Sequence, residues 1–324
     1  MKKNVAIIMG GYSNEYEISL KSGNVVYDTL NKEKYRPYRI HIFKDKWVHV
    51  TDNDKEFEIN KNDFSVVIDN SKITFDCVFN AIHGSPGEDG FMQGYFELLK
   101  IPHTSCGMYQ AALTFNKRDC LSVLKPYGIK TAESFYVNYG DTIDENAIIK
   151  KVGLPCFVKA NKAGSSFGIT KVYKKEELQN AIDVAFAEDD EIIIESFLDG
   201  IEVSVGVISY KGEVTVLPLT EIVSDNDFFD YKAKYLGESQ EITPARISEE
   251  MTSKVKKVAK KVYQILKMKG FSRSEYIFKD GEPHLLEVNT VPGLTKASIL
   301  PQQAVAAGIS LEALFDNAIS EALK

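Results

Sequence analysis

The sequence FSRSEYIFKDGEPHLLEVNTVPG, residues 271–293, predicts a β-hairpin near the end of the chain. Residues 273–278 and 284–289 are strand-like, and the five residues 279–283 lie between them. This connection contains an Asp-Gly pair, which is a strong turn signal between two strands. The chain is therefore expected to reverse here and to pair the two segments as antiparallel strands.

The register of this hairpin decides which side chains share a face. If the connection centres on Gly281, Glu275 lies opposite Glu287 and Arg273 lies opposite Asn289. Side chains alternate along a strand, so all four project from one face of the hairpin. A slip of one residue would separate them.

Two directly opposed glutamates repel each other and would destabilise a hairpin unless a cation lies between them. Two carboxylates together with the amide oxygen of Asn289 form an oxygen-rich ligand set of the kind that Mg²⁺ takes, completed by water and phosphate. The sequence thus predicts a metal site on Glu275, Glu287 and Asn289. The alternative is a solvent-facing hairpin with an exposed pair of glutamates.

Upstream of the hairpin, the first hundred residues alternate between strand-like and helical segments. This alternation predicts a parallel sheet with helices on its faces. The strand-like segments are residues 4–9, 38–43 and 75–80, and the helical ones are residues 19–30 and 93–99.

The rest of the chain has an antiparallel α+β pattern. A helix is expected over residues 109–124 and another over residues 253–269, whose lysines suggest a solvated face or, alternatively, a nucleic-acid contact. The weakly periodic stretch 223–243 is rich in aromatic residues, so we expect a functional loop rather than disorder. Short strands are predicted at residues 155–160, 169–173, 191–197, 202–209 and 213–219, with a helix at 175–186.

The composition excludes several classes of protein. The 324 residues suggest two or three domains. A balance of 39 basic against 46 acidic residues, net −7, argues against a duplex-DNA binder. No apolar run approaches the roughly 18 residues of a transmembrane helix, and the apolar run after Met1-Lys2-Lys3 is too short for a signal peptide. The four scattered cysteines argue against a zinc site and suggest reduced thiols in a cytoplasmic protein.

Three loops are candidates for ligand binding. Lys159 ends an apolar strand and is followed by the Gly/Ser-rich residues 161–168, whose small side chains would let backbone N–H groups approach phosphate. A plain hairpin connection is the alternative, and the spacing is not that of a Walker A loop. Gly10-Gly11 and the loop that begins at His83 each follow a predicted strand, where open α/β sheets bind ligands. His83 could equally be structural.

Together these segments resemble the D-alanine–D-alanine ligases of the ATP-grasp superfamily over nearly the whole chain. Each short piece is weakly specific, but their joint order and spacing are highly specific. The resemblance is carried by Gly10, Gly11, Glu15, His83, Gly84, Glu88, Gly90, Lys117, Lys159, Gly164, Ser165, Ser166, Gly168, Glu195, Leu198, Glu202, Tyr231, Lys234, Tyr235, Arg273, Glu275, Glu287, Asn289, Pro292, Gly293 and Ser298.

The resemblance implies an α/β and α+β architecture with three parts. A Rossmann-like N-terminal domain, residues 1–104, would precede a two-part ATP-grasp fold. Residues 105–190 would form its central subdomain, and residues 191–324 its C-terminal subdomain with the metal site. A homodimer, no membrane partner and no nucleic-acid partner are expected.

The resemblance also implies a reaction and the residues that carry it. ATP would drive the ligation of two D-alanine molecules through an acylphosphate, releasing ADP and phosphate, for peptidoglycan precursor synthesis. Two Mg²⁺ or Mn²⁺ ions would be held by Glu275, Glu287 and Asn289. The implied ATP-binding residues are Lys117, Lys159, Gly164, Ser165, Ser166, Glu195, Ser196, Phe197, Leu198 and Glu202. The implied substrate-binding residues are Glu15, His83, Tyr235, Arg273, Gly293 and Ser298, and the implied catalytic ones are Glu15, Ser165, Lys234, Tyr235, Arg273 and Gly293.

The sequence departs from the family pattern at a few positions. Glu275 stands where the family usually has Asp, and Ser196 stands where Lys is common. Lys296 and Ala297 replace the usual polar or His residues beside Ser298. Three alternatives stay open: another ATP-grasp carboxylate–amine ligase, a catalytically silent ATP-binding sensor, and a two-lobed solute-binding protein, for which a signal peptide is expected.

Overall fold

The computed structural model describes residues 2–164, 168–224 and 239–324. Within these ranges the strands form three sheets, of seven, four and six strands. None of the helices in this part of the chain is long and apolar enough to cross a bilayer. The predicted mixture of α/β and α+β regions is therefore confirmed.

The first sheet has the strand order β6-β5-β4-β3-β2-β1-β7. Helices α1 (Tyr16–Thr29) and α2 (Phe91–Leu99) belong to the same part of the chain. The strands are β1 (Lys3–Gly10), β2 (Tyr35–Ile42), β3 (Trp47–Val50), β4 (Glu56–Asn60), β5 (Ser65–Ile68), β6 (Ser71–Ile73) and β7 (Cys77–Asn80).

The prediction of a parallel sheet holds only for part of this first sheet. β1 pairs in parallel with β2 and β7, whereas β2 to β6 form an antiparallel meander. Strands β3 to β6 of this meander have only three to five residues, which is too short for a clear alternation of apolar and polar side chains. Asp69 and Asn70 adopt left-handed backbone angles, φ 47° and 62°, in the tight turn between β5 and β6.

The second sheet, in the order β10-β9-β11-β8, is antiparallel as predicted. Its buried residues Val158 and Ile194 pack against two helices, so the opposite face is left for ligand. The strands are β8 (Ser134–Asn138), β9 (Cys156–Ala160), β10 (Ile169–Val172) and β11 (Glu191–Ser196), and the helices are α5 (Glu145–Val152) and α6 (Leu178–Phe186).

The third sheet, in the order β15-β14-β12-β16-β17 with β13 paired to β12, is also antiparallel. The strands are β12 (Ile201–Tyr210), β13 (Glu213–Val216), β14 (Thr220–Ser224), β15 (Ser239–Ile242), β16 (Phe271–Lys279) and β17 (Glu282–Asn289). The remaining helices are α3 (Met108–Phe115), α4 (Lys117–Leu124), α7 (Glu249–Ile265), α8 (Ile299–Ala306) and α9 (Leu311–Ala322).

Core packing links segments that are distant in the chain. Leu121 of α4 and Val262 of α7 share a core with Tyr276 of the third sheet, while Phe315 of α9 packs with Val5 of the first sheet. The predicted domain limits 1–104, 105–190 and 191–324 stay a prediction, although β11 belongs to the second sheet and α4 packs on the third.

The helix predicted over residues 109–124 is in fact two helices, α3 and α4. They are separated at Asn116, whose backbone is extended and whose side-chain oxygen accepts a hydrogen bond from the Asp119 N–H, 3.0 Å away. This N-cap satisfies one of the free donors in the first turn of α4. Lys117 is consequently the first residue of a helix, not the middle of one.

The hairpin of β16 and β17 has a tighter turn than predicted. Lys279 pairs with Glu282, so only Asp280 and Gly281 form the turn, both with left-handed φ angles of 53° and 74°. The predicted five-residue connection is therefore wrong. Asp-Gly in this conformation is the sequence that such a two-residue turn favours.

The predicted pairing of the acidic residues is nevertheless confirmed. A β-bulge lies between Glu275 and Tyr276, where the register shifts by one residue and leaves Leu286 as the extra residue. Beyond it, Glu275 pairs with Glu287 and Arg273 with Asn289. The short turn alone would have placed Leu286 opposite Glu275, so the bulge is what brings both glutamates onto one face.

Gly200 lies where β12 approaches β16, and a side chain there has no room. A Cβ atom on Gly200 would lie 1.7 Å from the backbone oxygen of Phe278. We expect Gly200→Ala to lower the free energy of unfolding by about 3 kcal/mol because one of the two strands must move.

Gly281→Ala is the matched control, since a Cβ there meets nothing within 4 Å. Only its left-handed φ opposes alanine, at a cost of about 1–2 kcal/mol. Denaturant unfolding of both variants and the parent protein measures the difference. Equal losses for the two variants would contradict the close packing at Gly200.

Candidate active site

A cleft of about 830 Å³, open to solvent, lies between the second and third sheets. Strand alternation explains its lining: Phe157 and Lys159 of β9 face the cleft, while Cys156 and Val158 belong to the core beneath. The lining residues are Lys117, Ala132, Phe157, Lys159, Ile169, Glu195, Ser196, Leu198, Glu202, Arg273, Glu275, Ile277, Leu286 and Glu287.

Lys159 is a largely buried cation on the wall of the cleft. Its Nζ lies 2.8 Å from Oε2 of Glu195, in the neighbouring strand. Burial alone would lower the pKa of Lys159, but the charges of Glu195, Glu287 and Glu202 raise it above the usual value. The side chain is therefore protonated at neutral pH and presents a fixed positive charge to the cleft.

Lys117 brings a second cation from the first turn of α4. Its Nζ donates to the backbone oxygen of Ala163, 2.8 Å away, and lies 3.4 Å from Oε2 of Glu287. Lys117 thereby joins the start of the Gly/Ser-rich loop to the acidic hairpin. The two lysines predicted to contact phosphate thus line the same cleft.

The acidic pair lies on the opposite wall. Glu275 is buried, and its Oε1 accepts from Nε of Arg273, at 2.7 Å, and from Oγ of Ser204, at 3.3 Å. Its Oε2 is buried without a hydrogen-bond partner among the described residues. Asn289 Oδ1 accepts from the Val291 N–H at 3.0 Å, which leaves a second lone pair for another ligand.

These donors fit a hard cation that keeps part of its water shell. In residues 2–164, 168–224 and 239–324, no three Asp, Glu, His or Cys side chains form a metal-binding cluster. A cation here would use two carboxylates, one amide oxygen, water and phosphate, which suits Mg²⁺. The longer side chain of Glu275, compared with the Asp usual in the family, keeps a carboxylate oxygen available.

The last residue of β11 and the segment after it form one end of the cleft. This is the end that is predicted to contact adenine. Ser196 Oγ accepts from the Glu133 N–H at 3.1 Å, and the Ser196 N–H donates to the Glu133 oxygen at 2.9 Å. The serine that replaces the usual lysine thus ties this segment to β8. Leu198 and Glu202 line the cleft, whereas the Phe197 ring packs against Phe157.

Glu15 lies at the junction between the first sheet and this cleft. A Cβ on Gly164 would lie 2.7 Å from Glu15 Oε2, and one on Gly84 would lie 3.4 Å from the same atom. The carboxylate therefore lies between the Gly/Ser-rich loop and the loop after β7. The backbone of Gly164 approaches the carboxylate closely, whereas Gly84 has a left-handed φ of 69° and lies against Ser13, whose Oγ would be 2.8 Å from a Cβ atom.

His83 connects the first sheet to the chain that follows β17. Its Nδ1 lies 2.8 Å from the Val291 carbonyl oxygen, which can only accept, so Nδ1 carries the proton. Nε2 then accepts from Ser22 Oγ at 2.9 Å, and Ser22 Oγ accepts from the Leu294 N–H at 3.2 Å. Burial lowers the pKa of His83, in agreement with a neutral ring.

Glu88 reinforces the same connection. It is buried and accepts from the Gly84 N–H at 2.7 Å and from the Val291 N–H at 3.1 Å. Burial and the charge of Glu15 raise the pKa of Glu88 to about 7, against the lowering effect of both N–H groups. The loop after β7 and the chain after β17 are therefore held together by two buried side chains, His83 and Glu88.

Gly293 and Ser298 lie side by side at the end of this segment. A Cβ on Gly293 would lie 2.7 Å from Ser298 Oγ, which also lies 2.8 Å from Oγ1 of Thr295. Ser298 is the N-cap residue of α8, but its side chain does not cap the helix. Lys296 and Ala297 are exposed.

The structure thus brings together most of the predicted site residues in two adjoining groups. The cleft group contains the two lysines and the acidic hairpin, and the second group contains Glu15, His83, Gly293 and Ser298. The roles assigned to them stay predictions. Predicted site residues that lie outside the described residues are Ser165, Ser166, Lys234 and Tyr235.

Sequence reasoning found Leu198 but missed the rest of the apolar lining of the cleft. Phe157 and Ile277 lie two positions from Lys159 and Glu275 on the same strands, so alternation could have found them. Leu286 could not be found in this way, because only the bulge places it beside the cleft together with Glu287.

Comparisons with known proteins agree with this geometry. The family model described as "D-ala D-ala ligase N-terminus" matches residues 4–106, and the one described as "D-ala D-ala ligase C-terminus" matches residues 123–320. A D-alanine–D-alanine ligase of Flavobacterium johnsoniae is 71% identical over 321 residues, which are 99% of this chain and 99% of that protein.

Solved structures show the same fold. The D-alanine–D-alanine ligase of Bacillus anthracis complexed with ATP is 30% identical, with a TM-score of 0.81, covering 100% of this chain and 97% of that one. A D-Ala:D-Ser ligase of Enterococcus faecalis is 33% identical, with a TM-score of 0.87, covering 99% and 100%. The chain therefore belongs to the D-alanine–D-alanine ligase family of ATP-dependent ligases with the ATP-grasp fold.

Proposed function

We propose that this protein joins two D-alanine molecules into a dipeptide for peptidoglycan synthesis, with conversion of ATP to ADP and phosphate. One observation carries the proposal. The cleft with two lysines and an acidic hairpin adjoins the group of Glu15, His83, Gly293 and Ser298, so a nucleotide phosphate and an amino acid can meet at their boundary.

ATP would lie between the second and third sheets. Its adenine would contact the backbone of residues 195–198, and its ribose hydroxyls would bind Glu202. Lys117 and Lys159, both on the cleft wall, would contact the phosphates. The apolar side chains Phe157 and Leu286 supply the surface that a nucleotide base buries.

Two Mg²⁺ or Mn²⁺ ions are proposed to be held by Glu275, Glu287 and Asn289. The supporting observation is the buried Oε2 of Glu275, which has no partner among the described residues. Bound cations would neutralise charge on the transferred phosphate. In the free protein, Arg273 contacts Glu275 and Lys117 contacts Glu287. These two cations offset the repulsion between the glutamates.

The reaction would proceed in two steps. In the first, the carboxylate of one D-alanine, with its ammonium bound by Glu15, attacks the γ-phosphorus, and ADP leaves. In the second, the amine of another D-alanine attacks the acyl carbon, loses a proton and expels phosphate. Arg273 and the Gly293 N–H would stabilise the oxyanion of this step, because charge develops on the former carbonyl oxygen.

The second D-alanine would be bound beside Ser298. Its carboxylate would meet the Ser298 hydroxyl and the free N–H groups at the start of α8, where a helix favours an anion. The implied contributions of Lys234, Tyr235, Ser165 and Ser166 lie outside the described residues and belong to the family resemblance.

A dipeptide ligase with another second substrate is the competing function, since a D-Ala:D-Ser ligase has the same fold. Phosphate release with D-alanine alone, with D-alanine plus D-serine and with D-alanine plus D-lactate separates the possibilities. We expect D-alanine alone to support turnover. Binding of ATP without phosphate release in any mixture would instead indicate a silent sensor.

We expect Glu287→Gln to lower kcat by about 100-fold or more, because a neutral amide cannot replace a carboxylate that holds cations worth several kcal/mol in the transition state. The fold should persist, since Glu287 is only partly buried. The measurement is phosphate release across a titration of MgCl₂.

Glu282→Gln is the matched control in the same strand. Glu282 is partly exposed and pairs with Lys254 at 3.1 Å and Lys130 at 3.5 Å, away from the cleft. This variant should keep the parent's magnesium dependence. Parent-like activity of Glu287→Gln at limiting magnesium would refute the metal site.

We further propose that the protein is a homodimer. Met108 packs over Gly94, between the exposed Phe91 and Leu98 of α2, and Tyr109 extends this apolar patch. A second copy suits it because α2 carries an acid, Glu97, and is directly followed by a base, Lys100. A two-fold axis would bring these two residues into opposite-charge pairs.

Sedimentation should give a dimer for the parent and a monomer for Leu98→Glu, because the new charge would be buried without a partner. Val67→Glu is the control, since Val67 is also apolar and exposed but lies on β5, outside the patch. A parent protein that sediments as a monomer, or a Leu98→Glu variant that stays dimeric, would exclude this interface.

A further inference from the structure

The side chain of Asn161 lies fully buried where three elements of the cleft meet. It directly follows β9, which carries Lys159. It contacts the first turn of α4, which carries Lys117, and the start of β11. Its contacts therefore decide how the two lysines lie relative to each other.

Every polar group of this side chain has a partner. Oδ1 accepts from the Arg118 N–H at 2.9 Å. Nδ2 donates to Oδ1 of Asn116 at 2.9 Å and to Oε2 of Glu191 at 2.7 Å. The Asn161 N–H also donates to the Glu191 oxygen at 3.0 Å. One side chain thus joins α4, β11 and the Gly/Ser-rich loop.

The chemistry of the partners requires an amide at this position. The Arg118 N–H can only donate, and the Glu191 carboxylate can only accept at neutral pH. A side chain between them must accept on one side and donate on the other. Aspartate would repel Glu191, and alanine would leave buried polar groups without partners.

The hydrogen bond from Asn161 to Asn116 also fixes the start of α4. Asn116 Oδ1 also accepts from the Asp119 N–H and so caps α4. Lys117 is the next residue, and its Nζ reaches the Ala163 oxygen, two residues after Asn161. The start of α4 is therefore joined to the start of the loop at two points: Asn116 contacts Asn161, and Lys117 contacts Ala163.

Lys162, the next residue of the Gly/Ser-rich loop, is also held in place by contacts with the second sheet and the residues before β11. The Lys162 N–H donates to Oδ2 of Asp189 at 2.7 Å, and Lys162 Nζ lies 3.4–3.5 Å from Asp189, Asp190 and Glu191. Glu191 is thus shared by Asn161 and Lys162. Residues 161–162 are held to the second sheet from both directions.

We infer that Asn161 is a positioning residue for nucleotide phosphate: it holds Lys117 and residues 161–163, at the start of the Gly/Ser-rich loop, in the one arrangement in which Lys117 and Lys159 face the same ligand. This inference rests on the proposed function for the identity of the ligand. It assigns Asn161 no contact with ATP or D-alanine.

The test compares binding of ATP with Mg²⁺, in the absence of D-alanine, by calorimetry. For Asn161→Asp we expect the Kd to rise about tenfold or more, the scale of a lost buried hydrogen bond to a charged group. In steady-state assays the KM for ATP should rise, while the KM for D-alanine stays near that of the parent. Asn138→Ala is the control. Asn138 also contacts Arg118, since its Oδ1 accepts from Arg118 Nη1 at 2.9 Å, but its side chain is exposed.

A reciprocal exchange separates positioning from general destabilisation. In the double variant Asn161→Asp with Glu191→Gln, donor and acceptor change places between these two residues, so their hydrogen bond can re-form. The hydrogen bond to Asn116 stays unmade, so part of the lost ATP affinity should return. An unchanged Kd in Asn161→Asp, or equal rises in both KM values, would overturn the inference. So would a double variant that binds ATP as weakly as the single one or does not fold.

The calorimetric outcomes are independent of the ligase reaction. If the parent binds ATP but forms no dipeptide, the proposed function fails. The comparison of Kd values would still decide the role of Asn161.

Discussion

The placement of two glutamates directly opposite each other on a hairpin is the constraint on which the rest of the site depends. Glu275 and Glu287 face the cleft together, and like charges so placed oppose folding. The surrounding structure offsets this repulsion with Arg273 on one carboxylate and Lys117 on the other. Because Oε2 of Glu275 still has no described partner, the pair remains suited to a further cation.

Each compensating cation is delivered by a different part of the fold. Arg273 comes from the same strand as Glu275, two positions away, so strand alternation is sufficient to place it. Lys117 comes from the start of α4, and its position depends on the break at Asn116 and on the contact of Asn161 with that cap. The sheets therefore fix the acids, and the amide side chains of Asn116 and Asn161 fix one of the bases.

The sequence predicted what depends on local pattern. The antiparallel hairpin, the face shared by Glu275 and Glu287, and the position of Lys159 at a strand end all follow from alternation and turn residues. The correct register came from two deviations that cancel: a turn shorter than predicted, between Lys279 and Glu282, and a bulge at Leu286. Neither could be distinguished from a regular hairpin with a longer loop.

What the sequence could not predict depends on contacts between distant segments. The short meander β3–β6 lacks a clear period, and the break at Asn116 depends on a cap that competes with a good helical pattern. The proximity of Glu15 to Gly164, and the contact of His83 with Val291, join residues that are far apart in the chain. Only the family resemblance indicated that such residues meet, and Glu88 received no role from it.

The two groups of the site differ in how strongly the fold constrains them. The cleft proposed to bind ATP is made largely of side chains on paired strands, so it changes little unless a sheet changes. The group proposed to bind the amino acids is made of loops, and the chain around His83 and the segment that ends at Ser298 are held by a few buried hydrogen bonds. Loops tolerate substitution more readily than sheets. A shared fold therefore specifies ATP chemistry more firmly than it specifies the second amino acid, which agrees with the equally good match to a D-Ala:D-Ser ligase.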